Sequence, residues 1–227
     1  TLNMNYLAMS PDAELGGPLA DKNVRQAVSY AVDYEGIMAL LNGYADWAPS
    51  IIPLGVMGVD PAMKRTRDLD KARELLAAAG YEAGGPELDL SYGAAPGALR
   101  ETVAAKLKSD LEEAGMVVNL HPLEMSVYLS EMRAQKLPMA LGGWTPDYLD
   151  PTMWSDYYSY PDRGIAFRIK YDSANAAAWA QTIATEFDLQ KRTEAVRSLV
   201  EVLMDEVPFI MLYQSQQLTV LSNDVKG

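Results

Sequence analysis

Cysteine is absent from this 227-residue chain, and histidine occurs once, as His121. Thiol catalysis, disulfides, zinc ribbons and iron–sulfur clusters are thereby excluded, as is any site that needs several histidines. Positive charge is scarce: 19 Lys and Arg stand against 31 Asp and Glu, for a net charge of −12. A surface that grips nucleic acid or anionic lipid needs clustered cations, so neither partner is expected. No apolar run approaches the ~20 residues of a membrane-crossing helix, so no direct insertion of this segment into a membrane is expected. Phenylalanine occurs only 3 times, whereas tyrosine occurs 13 times and methionine 12. Hydrophobic residues make up 49% of the chain, which excludes a disordered polymer and supplies a core.

Periodicity and punctuation define the elements. Residues 2–9 alternate apolar and polar, as a half-buried strand does, and 10–18 read as a Pro/Gly-rich loop. Asp21 caps a helix whose stripe is Val24, Ala27, Val28, Ala31 and Val32, and a second helix runs from Asp33 through Leu41 to a stop near Gly43. Residues 47–64 hold too many prolines and glycines for a regular element, so a long loop packed over a core is expected there. Asp68 or Asp70 starts the next helix, which stops at Gly80. Then strand 87–92, helix 97–114, strand 116–120, helix 126–135 and strand 138–143 follow on short connections. That order predicts a βαβαβ unit, hence an α/β fold with a parallel sheet flanked by helices. Residues 144–172 read as mostly loop with one short helix after Pro151; helices 174–187 and 189–206 and strands 208–213 and 218–221 complete the chain. A strand at each end, both leading out of one sheet, points to a piece of a longer chain.

The densest group of functional residue types is GGWTPDYLDP at 142–151, following the third strand of the unit. Ligands of open α/β sheets bind beyond the carboxyl ends of strands. Gly142 and Gly143 permit close backbone approach, Trp144 offers a flat wall with one donor, and Asp147 and Asp150 offer carboxylates. The same residues equally suit a core plug and turn caps. Asp147 and Asp150 also fit the acid and base of a hydrolase. His121, at a strand end, reads as a hydrogen-bonded structural residue, and Tyr157, Tyr158 and Tyr160 as either a recognition loop or a partly buried aromatic one. The Gly-Gly-Pro runs at 16–18 and 84–86 read as turns, not phosphate cradles.

Several segments resemble the extracytoplasmic solute-binding proteins of family 5, the oligopeptide-, dipeptide- and nickel-binding receptors of ABC importers. They are DKNVRQAVSYAVD at 21–33, the Ala/Pro pattern at 43–53, DKARELLAAAGY at 70–81, LKSDLEEAG at 107–115, GWTPDYLDP at 143–151 and VPFIMLY at 207–213, in family order. The resemblance implies one lobe of a two-lobe periplasmic-binding-protein-like fold, with a mixed sheet containing the βαβαβ unit. Residues 1–227 would be the second, C-terminal lobe, with the first lobe missing. It further implies a periplasmic or otherwise extracytoplasmic location (a cell-surface lipoprotein in a Gram-positive host) and a peptide or other small solute as ligand. ABC permease subunits would be partners, with no catalytic residue, cofactor or metal. The matching positions are Gly143, Trp144, Thr145, Asp147 and Tyr148: Asp147 would receive a ligand α-amino group while backbone beside Trp144 pairs with an extended peptide. Some relatives carry a basic residue just before this Trp to meet the peptide carboxylate; here residues 139–142 are neutral. The same segments accommodate relatives that bind sugars, opines or a nickel complex, and a sensor domain attached to a regulator.

Overall fold

A computed structural model describes residues 1–82, 84–95, 99–216, 222 and 224. The chain opens with β1 (Met4–Met9), then a short helix α1 (Ala13–Gly16) and a 3-10 turn (Gly17–Ala20). Helices α2 (Lys22–Ala31) and α3 (Tyr34–Leu40), strand β2 (Ala45–Trp47) and α4 (Leu69–Ala78) follow. Next come β3 (Glu87–Ala94), α5 (Leu99–Glu113), β4 (Val117–Glu124), α6 (Met125–Arg133) and β5 (Met139–Trp144). Helices α7 (Thr152–Ser159), α8 (Gly164–Arg168), α9 (Ala174–Thr185) and α10 (Leu189–Glu206) lead to β6 (Phe209–Ser215). Aspartates start four of these helices by accepting a backbone N–H: Asp21 from Asn23, Asp33 from Gly36, Asp68 from Lys71, and Asp188 from Gln190 and Lys191.

The six strands of the described residues form one mixed sheet in the order β2-β6-β1-β5-β3-β4. β4 and β5 lie parallel on either side of β3, as the βαβαβ reading requires. β1 runs antiparallel to both its neighbours, β5 and β6. Every residue of β1 is buried, so the half-buried strand expected from its alternation is corrected. Leu7 and Met9 enter one core with α2, α3, α4 and α5, while Met4, Tyr6 and Ala8 enter a second core with α7, α8, α9 and α10. Helices cover both faces, so alternate side chains of the strand meet two different apolar layers.

Three further expectations change. Residues 10–18 are not all loop, because the Asp12 carboxylate accepts the Leu15 N–H at 2.8 Å and starts α1. Residues 144–172 hold two helices, α7 and α8, where one was expected. β2 is an additional edge strand of 3 residues, paired to β6. The loop after it packs over the second core, burying Ala48, Ile51, Ile52 and Val56. The strand expected at 218–221 lies outside the described residues.

A buried guanidinium ties the ends of these layers together. Arg25 is 5% exposed and donates to the carbonyls of Leu19 at 2.7 Å, Ala20 at 3.0 Å and Glu206 at 2.8 and 3.0 Å. These bonds hold the 3-10 turn and α2 against the end of α10. There the chain passes through Val207 at φ 50°, a left-handed conformation that a β-branched residue rarely adopts. The Glu206 carboxylate in turn accepts the Tyr171 hydroxyl at 2.5 Å and the Ser173 hydroxyl at 3.0 Å. Arg25→Met keeps the packing of the stem but strips three carbonyls of their donors. It is expected to destabilise the chain by about 3 kcal/mol, read as a lower urea midpoint; an unchanged midpoint contradicts this role.

Candidate functional site

The rim of the sheet where β3, β4 and β5 end collects the unusual residues. β5 finishes as Gly142, Gly143 and Trp144, and in the antiparallel register Gly143 stands opposite Asn5 of β1. Asn5 donates from Nδ2 to the Ser215 hydroxyl of β6 at 2.9 Å, joining three adjacent strands across the rim. A Cβ on Gly142 would fall 2.8 Å from the Tyr6 ring, so only glycine fits there without moving a buried tyrosine. Gly143, by contrast, is exposed.

Trp144 is half-buried and braced by aromatics on its inner side. Tyr157 packs against it at 4.7 Å between ring centroids, and Trp154 and Tyr158 meet it edge-on at 6.1 and 6.5 Å. The tyrosines of α7 therefore divide their roles: Tyr158 is fully buried and Tyr157 backs the tryptophan. The recognition loop that this tract could have formed is a helix packed over the second core.

After Trp144, the residues Thr145, Asp147, Tyr148 and Leu149 are exposed. Of the predicted site residues, Gly143 and Trp144 thus sit on the rim, and Thr145, Asp147 and Tyr148 on the loop that leaves it. Among the described residues, Asp147 takes part in no ion pair. Asp150 is different. Arg192 of α10 grips its two oxygens at 2.6 and 2.9 Å, and the Thr152 N–H and hydroxyl donate to Oδ1 at 2.9 and 2.8 Å. Partial burial alone would raise this carboxyl, but Arg192 and Thr152 together outweigh it and hold the group below its ordinary value. Four donors commit the Asp150 carboxylate to the structure of its own loop, and held ionised it is no proton donor.

One residue that the sequence did not reveal completes the rim. Arg100, in the first turn of α5, reaches over both glycine-bearing strand ends. Its Nη1 lies 3.5 Å from where a Cβ on Gly93 would sit, and Nη2 the same distance from a Cβ on Gly143. Met125, opening α6, lies against Gly93 beside it. Among the described residues, no carboxylate pairs with Arg100. Nothing local marks Arg100 for this place; only the crossover from β3 into α5 carries it there.

Other candidates fall outside the rim. His121 is exposed and hydrogen-bonded through Nε2 to Asp89 at 2.9 Å, between β3 and β4. Two surface clefts lie elsewhere, one beside Trp47 and Lys64 and one beside Arg73 and Gly85. Among the described residues, no three acidic or histidine side chains gather as a metal-holding group, and no helix is long and apolar enough to cross a membrane.

A mixed sheet covered by helices on both faces is an α/β architecture of the periplasmic-binding-protein-like kind. Residues 1–165 match the bacterial extracellular solute-binding proteins, family 5 middle, and the chain belongs to that family. It is 24% identical over 232 residues to the probable D,D-dipeptide-binding periplasmic protein DdpA of Escherichia coli K12, covering 100% of this chain and 44% of that protein. Among solved structures, HbpA2 from Haemophilus parasuis superposes with a TM-score of 0.85 at 24% identity, over 94% of this chain and 43% of that one. A structure described as a peptide ABC transporter peptide-binding protein superposes with a TM-score of 0.81 at 20% identity, over 94% of this chain and 99% of that one. The chain thus spans less than half the length of the curated relative, and nearly all of one solved structure.

The Asp150–Arg192 pair carries a pH signature. With its folded value depressed, its stabilisation is complete above the ordinary value of 3.8 and is lost as pH falls below it. Asp150→Asn is expected to melt at lower temperature than the parent at pH 7, with the gap closing below pH 3.8. A gap that persists undiminished at low pH contradicts the pairing.

Proposed function

We propose that this chain is the second lobe of an extracytoplasmic receptor that captures short peptides in a cleft between two lobes and presents them to an ABC permease. The observation that carries the reading is two charges without an ion-pair partner among the described residues: the Arg100 guanidinium over Gly93 and Gly143, and the Asp147 carboxylate on the loop that follows Trp144. A zwitterionic peptide carries the complementary pair. At the end of the strand Gly143 is exposed and Trp144 half-exposed, a surface suited to an extended backbone. Contacts to peptide backbone give affinity that tolerates different side chains, while the charged ends fix orientation. The names of relatives as dipeptide- and peptide-binding proteins support the same ligand class.

Hinge closure by a first lobe would take Asp147 out of water. A carboxylate closed off in that way needs a cation, so a free α-amino group is selected. The carboxylate contact absent from residues 139–142 is supplied on this reading by Arg100. The ligand is bound and released unchanged, with no covalent step, and a lipid anchor would hold the receptor at the surface of a Gram-positive host.

Calorimetry on the full-length two-lobe protein tests this. Asp147→Asn is expected to weaken binding of free short peptides by about 3–5 kcal/mol. N-acetylated peptides should bind the parent as poorly as free peptides bind the variant. Unchanged affinity in Asp147→Asn removes the amine anchor. Arg100→Gln is expected to cost about 1.5 kcal/mol against peptides with a free carboxylate and nothing against their C-terminal amides. Equal losses on both contradict the carboxylate contact.

A further inference from the structure

We infer that Arg192 is a positioning residue for the ligand loop: reaching from α10, it holds Asp150 and so fixes the backbone that carries Asp147 and Tyr148. What the loop carries rests on the peptide reading above; how it is held rests on separate geometry.

The loop from Thr145 to Leu149 has four exposed residues, and the side chains that fix it gather at its far end. Arg192 donates from Nη1 to Asp150 Oδ2 at 2.9 Å and from Nη2 to Asp150 Oδ1 at 2.6 Å. Asp150 Oδ1 also accepts the Thr152 hydroxyl at 2.8 Å, and that hydroxyl oxygen lies 3.3 Å from the Tyr148 hydroxyl. A connected path thus runs from Arg192 through Asp150 and Thr152 to Tyr148, one residue from Asp147. The foot of the strut is fixed as well. Arg192 Nε donates to the carbonyl of Ile183 at 2.8 Å, and Ile183 is fully buried in the second core.

Three donors of one planar group meet three acceptors on two elements, which the single ammonium of lysine cannot reproduce. Arg192 itself touches neither the rim nor Asp147 through any of these bonds. Its effect on ligand is therefore indirect, through the fraction of time the loop spends in its binding form. That distinguishes it from Asp147, whose loss removes a contact.

The test uses the full-length protein, free trialanine as probe, and hydrogen–deuterium exchange of residues 145–152 without ligand. Arg192→Gln is expected to speed exchange in that loop while α9 and the centre of α10 keep their protection. It should also weaken trialanine binding roughly tenfold, the size of change typical when one partner of a coupled pair is lost. Asp150→Asn should behave alike, and the double variant should be no worse than either single one. Arg192→Lys should recover only part of the loss. Loop exchange unchanged by Arg192→Gln overturns the strut, and so does a rise spread evenly over α9 and α10. If exchange rises in the loop alone but the parent binds no trialanine, the strut stands and the peptide reading falls.

Discussion

Everything at the rim depends on β1 being buried on both faces between two antiparallel neighbours. A one-residue slip turns every side chain of a strand to the opposite face. Here Leu7 and Met9 are committed to one core and Met4, Tyr6 and Ala8 to the other, so a one-residue slip would exchange the side chains of two packed layers. That fixed register sets Asn5 opposite Gly143 and leaves Tyr6 against Gly142. It also brings β5 and β6 to either side of one strand, so that Asn5, Gly143 and Ser215 share the rim.

From that frame the site follows by short steps. Glycine is required where Tyr6 crowds the strand, and the glycines at 93 and 143 leave room for Arg100 to lie over two strand ends. Trp144 is held by Tyr157 on the inner side, which orients it without removing it from the surface. Arg100 has no carboxylate partner among the described residues, and it lies on the rim from which the Asp147 loop departs. On the proposed reading these charges are left for a ligand, and they would act more strongly once closure excludes water from them.

The parts legible in the sequence were those written in local signals. Aspartate caps at Asp21, Asp33 and Asp68, glycine stops, and strand–helix alternation mark the βαβαβ unit and its neighbours within a few residues. The loop at 143–151 stood out through its glycines, tryptophan and carboxylates. What could not be read was set by distant partners. β2 is only 3 residues long and exists because β6 pairs with it. The double burial of β1 needs helices from both halves of the chain. Asp147 and Asp150 look alike as letters, and only Arg192 from α10 separates a committed carboxylate from an uncommitted one. Arg100 lies far upstream of Trp144 and reaches the rim only through parallel pairing of β3 with β5.

On the proposed reading this rim, and no other surface of the chain, meets the peptide. Amide chemical shifts of the isotope-labelled chain, followed while free trialanine is titrated in, test it most directly. The account predicts weak, saturable shifts confined to Gly93, Arg100, Gly143, Trp144 and the loop through Tyr148, abolished when the peptide is N-acetylated. Shifts centred on the cleft beside Trp47 and Lys64, or a response indifferent to acetylation, would contradict it.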